Sequence, residues 1–545
     1  MNEKLTNLLM KYDIVIIGAG ISGLGLGALL GKAGYNCCIV EKEYHAGGYI
    51  AGYSRKDFHF DTAIHWLNQF DSSGIAHKLF NAIDTDYPKP ILLDKIHRYK
   101  SKNYDILLQS DIEKVKTDFI NQFPDEEKGI NLFFKHALEL SKVSLRMNDF
   151  VRNHESMGIF EKAIYYTKML LFIYPIFKHL KYSDDKGIKL GLAKYFKGDE
   201  IKDVFNSEKD LLSCLFPLAW AQIKDYYKTP PGGSVKYVNW LSEQNEHFGN
   251  KIMLNTEATS VLLDGNIAKG IVVKNKSGEE KINAKYVIAA SDLPSLYRKL
   301  LPINAISEKI KSKIENSEQY TSSFTVSIAL DCPAEELGFG EELISLSKNN
   351  LQRNQHESSD PNISKLSIIA PSVRDKSICP EKKGIITIYM AADIEEFDFW
   401  HTEISEDGER KRGKAYRDFK KHTAEIIIDR VKNELSPQLR EHIIFYDAAT
   451  PFTYQRYSYN YRGTMMGQRP GKVNIQNKVA SHFTEVQNLL IGGQWAELGG
   501  GIPIAARSAI NTALIILRKE DKRRYRLLTK YVDGKINVNK LNEKF

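Results

Sequence analysis

The chain has 545 residues, 42% of them hydrophobic and 26% charged, the balance of a folded globular protein. At roughly 150 residues per domain it holds three to four domain-sized units, or fewer if one sheet organises a large one; disorder, collagen and a disulfide miniprotein are excluded. The net charge of +8 is uneven: residues 518–545 carry ten basic and four acidic side chains, a basic tail of +6, and the remaining +2 over 517 residues disfavours a nucleic-acid role.

Residues 1–13 have no long apolar stretch before a small-residue cleavage site, so no signal peptide is expected. Residues 14–17 form a short β-branched run, the pattern of a strand buried on both faces. Gly18-Ala-Gly20-Ile21-Ser22-Gly23 follows at once, then helical character over 24–30, a stop at Gly34 and a second buried strand at 37–40 ending in Glu41. This is a whole βαβ unit. Gly18 makes the tight turn, Gly20 lets the backbone approach a pyrophosphate, and Gly23 lets helix and strand pack together. Ile21 and Ser22 open the helix, whose N-terminus offers free N–H groups to phosphates. Glu41, 18 residues after Gly23, can accept hydrogen bonds from an adenosine ribose. The fingerprint alone leaves NAD and FAD open. Of the five cysteines none forms a CxxC pair, which fits a reducing compartment and gives no metal site.

Glu41-Lys42-Glu-Tyr-His-Ala-Gly47-Gly48 places a glycine pair six residues after the ribose acid, and here the sequence resembles the FAD-binding fold shared by amine oxidases and phytoene desaturases. Tyr49 stands where that group often has Arg, so no pyrophosphate contact from Arg carries over. Residues 55–66, RKDFHFDTAIHW, resemble the subgroup of carotenoid isomerases, phytoene desaturases and retinol saturases, the retinol saturase form most closely. The resemblance implies that the stretch from Asp61 to His65 passes close to the flavin ring.

Residues 158–181 hold six aromatics, four lysines and one acid. They read either as a membrane-interface segment or as a core helix pair broken at Pro175. The longest strongly apolar run, 169–177, is far short of the ~20 residues of a spanning helix. Thr229-Pro-Pro-Gly-Gly-Ser234 opens a helix and precedes short strands over 251–292, with turns at Asp264-Gly265 and Ser277-Gly278. By resemblance Ala258 lies against the adenine. Residues 449–453 and Gly463 resemble a family segment near the pocket. Near the C-terminus a buried strand ends in Gly492-Gly493-Gln494, and Gly499-Gly500-Gly501-Ile502-Pro503 precedes an Ala-rich helix. Glycines there expose N–H groups that can stabilise the negative charge of a reduced flavin. The family's Pro and Gly are replaced by Leu498 and Ile504.

The resemblance implies an α/β fold: a Rossmann-like FAD-binding domain of glutathione reductase and amine oxidase type, with an inserted α+β substrate domain. Its blocks at 1–75, 227–300 and 470–520 make the flavin domain discontinuous, leaving 76–226 and 301–469 for the substrate domain and 521–545 as the tail. The implied cofactor is FAD and the implied activity is on C=C bonds of an apolar polyene or isoprenoid, by reduction, desaturation or cis–trans isomerisation. Lys42, Gly47, Gly48, Tyr49, Asp61, Gly493, Gln494, Gly500, Gly501 and Ile502 join the N-terminal residues as cofactor contacts. His65 is the candidate proton carrier, because an imidazole ordinarily titrates near neutrality. A flavin amine oxidase and a flavoprotein without turnover stay open as alternatives. No second GxGxxG follows a strand, so NAD(P)H, a quinone or oxygen would exchange electrons by transient contact. The expected location is cytoplasmic, on a membrane surface.

Overall fold

The computed structural model describes residues 11–394, 399–404 and 410–545. Most of the N-terminal segment read for a signal peptide, residues 1–10, lies outside them.

The first sheet is built from buried, β-branched segments. Strands β1 (Tyr12–Ile17) and β2 (Cys37–Val40) pair in parallel, and β3 (Lys251–Met253) adds in parallel beside β2. A meander follows: β4 (Glu257–Asp264), β5 (Ile267–Asn275) and β6 (Gly278–Ala289). Its turns fall where expected, with Gly265 and Gly278 at φ 59° and 117°. The long β6 does two jobs. Its first half closes the antiparallel meander; its second half runs parallel to β1, with β7 (Leu489–Ile491) on its other side. The doubly covered parallel strands are apolar at their centres, with Ile14, Val15, Ile16, Ile39, Val287 and Ile288 all fully buried.

Helix α1 (Ile21–Lys32) fills the crossover between β1 and β2, with every residue from Ile21 to Gly31 buried. Its glycines admit neighbours: Leu79 packs on Gly25 and Asn245 on Gly27. The segment Ile75–Ile83 is thus a helix of this first body, so the expected boundary at residue 75 falls one helix too early. Ile306 and Ile314 likewise pack against the meander's core, past the expected boundary at 300.

The second body has its own seven-stranded sheet. Its order is 443–449, 322–330, 384–392, 366–369, 343–346, 95–100 and 105–109, so both insertions contribute to it. Helices between 112 and 222 cover a separate aromatic core around Phe119, Phe133, Phe134 and Phe205.

Helix α2 (Ile159–Leu180) is one continuous helix, and Pro175 does not divide it into a pair. It buries only Ile176 and His179 and leaves Phe160 89% and Tyr174 83% exposed. Its N-terminus is held firmly. Arg152, 4% exposed, donates from both Nη atoms to Glu161 at 2.9 Å, and Tyr525 Oη donates to the same carboxylate. Among the described residues no helix is long and apolar enough to cross a membrane.

Helix α3 (Gly501–Glu520) packs on α1, and residues 521–545 fold back beside it as α4 (Lys522–Val532) and α5 (Val538–Asn542). The segment read as a tail is part of the core: Leu528 and Leu541 are fully buried, and Arg524 pairs with Asp521 and donates to the Phe545 carbonyl.

Candidate functional site

The three N-terminal glycines carry three different constraints. Gly18 turns at φ 105°, and a Cβ there would lie 2.9 Å from the Ala290 carbonyl oxygen. Gly23 is the packing glycine: its Cβ would lie 2.0 Å from the Gly18 oxygen. Gly20 faces open space, with nothing within 4 Å of a Cβ. That space belongs to a cavity of ≈ 430 Å³, within the usual range of roughly 300–1,000 Å³ for small-molecule sites.

Two helix N-termini meet this cavity. Ile21 and Ser22 of α1, and Gly501 and Ile502 of α3, are in its wall. Neither helix has an acidic residue in its first turn, so both positive dipole ends are free to face an anion. The chain brings them together through Ser22, whose hydroxyl donates to the carbonyls of Gly492 and, at 3.0 Å, Ala505.

Glu41 sits at the end of β2 and lines the cavity. One of its oxygens accepts from Ala19 N at 2.9 Å and the other from Glu43 N at 3.0 Å. These bonds orient the carboxylate and leave lone pairs for a ligand hydroxyl. Thr256 N donates to the Glu41 carbonyl at 2.8 Å, which brings Thr256, Glu257, Ala258 and Thr259 to the same end. Gly47, Gly48 and Tyr49 line the wall beside Gly20, and Gly493 and Gln494 close it from the C-terminal block. Tyr49 Oη donates to the Thr464 carbonyl at 2.6 Å, a clasp between the first block and the second insertion. Lys42 also lines the cavity; its ammonium stands 3.6 Å from the Tyr459 ring centroid and donates to the Arg456 carbonyl.

Four expected residues stand outside the wall. Gly23 is inside the turn, as its packing role requires. Gly500 packs against Met466, which lines the cavity in its place. Asp61 is a correction: its carboxylate accepts from Ser234 N at 3.1 Å and Ser234 Oγ at 2.6 Å, so it braces the 229–234 loop. His65 is the fourth. Its neighbours Ala63 and Ile64 line the cavity, while its own ring packs edge-on against Tyr389 at 4.7 Å. Burial, then the Arg374 and Lys365 charges, push its pKa down to about 4.

The argument from titration near neutrality therefore fails, since the imidazole is neutral down to about pH 4. The pH profile of turnover should show no inflection near 6.5 from this residue. An inflection between 6 and 7 that disappears in His65→Gln would contradict the geometry.

Several wall residues carried no signal by themselves. Asp292 is a buried cap, accepting from Ser295 N at 2.7 Å and Tyr461 N at 2.8 Å, with its carboxyl raised to about 6 by burial. The 457–460 stretch and Met465–Met466 enter from the second body. The segments at 449–453 and Gly463, expected near the pocket, flank these residues and lie outside the wall. Gly463 sits at φ 64°, where a Cβ would lie 2.2 Å from the Pro451 carbonyl oxygen.

Comparison with known proteins agrees with this geometry. Residues 16–83 match the model of an NAD(P)-binding Rossmann-like domain. All-trans-retinol 13,14-reductase of Danio rerio is 24% identical, over 93% of this chain and 86% of that protein. Chloroplastic prolycopene isomerase 2 of an Oncidium hybrid cultivar is 23% identical, over 85% and 76%. The chain is thus similar along most of its length to retinol reductases and to carotenoid isomerases and desaturases. The fold is similar to that of the solved structure of putrescine oxidase bound to putrescine, with TM-score 0.57, 13% identity and coverage of 93% of this chain and 99% of that one. The two-sheet architecture is thus of amine oxidase type.

Proposed function

We propose that the protein is an FAD-dependent oxidoreductase or flavin-assisted isomerase acting on C=C bonds of an apolar polyene or isoprenoid. The observation that carries the reading is the pair of acid-free helix N-termini, α1 and α3, on one cavity. A dinucleotide needs one for its pyrophosphate, and a flavin gains from the second, where charge collects on reduction. The open space at Gly20 suits phosphate approach, and the Glu41 carboxylate suits the ribose. FAD would supply two-electron chemistry at its ring. The chain's own residues hold it, and Ile64 and Met466 help keep the wall apolar.

The amine oxidase alternative is disfavoured by charge. A buried guanidinium, Arg374, donates to the His65 carbonyl, the wrong sign beside a substrate ammonium. The purified protein should release yellow FAD into the supernatant on denaturation; a colourless protein, or a chromophore that stays with the chain, contradicts noncovalent FAD. The activity is tested by chromatography of a polyene panel incubated with oxidised and with reduced holoenzyme. At least one polyene should change the number or geometry of its double bonds. Bleaching by a primary amine with no change in any polyene would favour the amine reading.

We further propose peripheral attachment through α2. Its exposed Ile159, Phe160, Leu170, Leu171, Tyr174 and Phe177, fringed by lysines, suit the headgroup boundary of an anionic bilayer. The protein should float with anionic vesicles at low salt, and a Phe160→Asp, Tyr174→Asp double variant should not. Wild-type protein left at the bottom of the gradient sinks the proposal. The electron partner then acts by transient contact.

A further inference from the structure

At one end of the second sheet, side chains of three metal-binding types come together. The strand Ser322–Leu330 runs out into Asp331 and Cys332, and the neighbouring strand Ile443–Ala449 is preceded by His442. Sheet register fixes their backbones. Leu330 stands opposite Ile443 on one side and Gly384 on the other, and Asp331 N donates to the His442 carbonyl at 3.0 Å. A carboxylate oxygen of Asp331, Cys332 Sγ and a ring nitrogen of His442 all lie within 4.8 Å of one another. These residues are outside the wall of the cofactor cavity. The spacing of the cysteines could not disclose the group, because His442 lies 111 residues beyond Asp331.

An ion pair accounts for two of the three side chains. His442 Nδ1 and Asp331 Oδ1 are 2.7 Å apart, on side chains 34% and 48% exposed, and a pair so exposed contributes little to stability. It does not account for the thiol beside it. Cys332 is 8% exposed, and both Asp331 and Glu336 bring negative charge to its sulfur. That is a poor setting for a nucleophilic thiolate and a good one for a cation. Lys383 is the opposing charge, and its ammonium donates to the Asp331 carbonyl at 3.2 Å.

Thiolate, imidazole and carboxylate are the ligand types of zinc. Around a tetrahedral ion at about 2.0–2.3 Å, ligand atoms stand roughly 3.3–3.8 Å apart, so this set needs side-chain shifts of ~1 Å. The half-exposed Asp331 and His442 side chains supply that movement and an entry path, while the strand ends hold the backbone in place.

We propose that Asp331, Cys332 and His442 form a zinc site, with water as the fourth ligand. Binding releases the thiol proton to solvent and moves no electron. Thiolate and carboxylate together neutralise the dication. The ion ties the end of the strand 322–330 to the turn before 443–449 and takes no part in the flavin chemistry.

The test is metal binding to tag-free, chelator-treated holoenzyme. Zinc, titrated in competition with a chromophoric indicator, should bind at one equivalent. Cobalt(II) in its place should add visible bands at longer wavelength than the flavin and a near-ultraviolet band of thiolate-to-metal charge transfer. Cys332→Ser should remove that band and weaken zinc ~100-fold or more, since even the outer partners of metal ligands are worth about 10–100-fold. His442→Ala and Asp331→Asn should each weaken it ~10-fold or more. Cys214→Ala, in the helical core, should bind as wild type does. If Cys332→Ser does not fold, the cobalt spectrum of the wild type decides by itself. No binding at ~100 µM zinc, which is a free energy weaker than about −5.5 kcal/mol, overturns the inference. So does a cobalt spectrum without the thiolate band, or binding that Cys332→Ser retains, which would mark an adventitious ion only.

Discussion

Gly23→Ala is expected to yield a protein that neither retains a dinucleotide nor keeps its normal stability. The added Cβ would lie 2.0 Å from the Gly18 carbonyl oxygen and 3.3 Å from the Ala290 Cβ. Neither neighbour can retreat. Gly18 is held at φ 105° against the Ala290 carbonyl, and its N–H donates to Val40 O at 2.8 Å. The helix must move instead, and its N-terminus leaves the cavity. Overpacking of this kind costs about 1–3 kcal/mol, and the backbone contact puts it at the upper end. Gly20→Ala is the control, because nothing lies within 4 Å of the new methyl. It should fold normally and lose the cofactor only because the methyl occupies phosphate space. Melting temperature and bound flavin, measured on both variants, separate the two effects. A Gly23→Ala protein that is yellow and as stable as wild type would mean that helix and strand are not packed as described.

The second large effect is a pH dependence of stability at Asp225. This residue is 4% exposed, and one oxygen accepts from Gln69 N at 2.7 Å. Burial, reinforced by Asp71, raises its carboxyl to about 7 from an ordinary 3.8, against the opposing Gln69 bond. The sign follows from linkage. The folded state binds the proton more tightly, so the stabilising contribution is full below about pH 4 and is lost as pH rises to about 7. At ~1.4 kcal/mol per unit the loss is roughly 4 kcal/mol. Asp225→Asn keeps the acceptor for Gln69 and removes the charge. It should unfold at higher urea than wild type at pH 8, with the gap narrowing as pH falls and closing only below about pH 4. Parallel profiles across that range would show that Asp225 ionises without cost where it sits.

The parts of the site that were legible in the sequence are those where backbone geometry forces residue type. Gly18, Gly20 and Gly23 each carry the constraint their spacing implied, and Gly265 and Gly278 turn the meander as read. Glu41 could be found because it ends a strand at a fixed distance from the glycines. Asp61 could not be placed correctly, because nothing local says that a carboxylate will be taken by Ser234, 173 residues away. The same holds for His65, whose proton affinity is set by burial and by Arg374 from the second body. The second sheet was beyond reach for a related reason: residues 95–100 pair in parallel with 343–346, and such pairing leaves no mark on either segment alone. The tail looked free because its charges dominate its composition. Two leucines and a tyrosine, Leu528, Leu541 and Tyr531, decide that it docks.

The hydroxyl of Ser22 reaching the carbonyls of Gly492 and Ala505 bears on how the protein is made. The glycine turn is synthesised 470 residues before Gly492 in the wall opposite it. A nascent chain therefore carries half a nucleotide cradle for most of its translation, with β1 lacking the second half of β6 and that segment in turn lacking β7. A complete cradle therefore waits for the synthesis of Ala505. A message broken anywhere before the codon for Ala505 would give a product without the second helix end, which quality control would meet as an unliganded, incompletely sealed sheet.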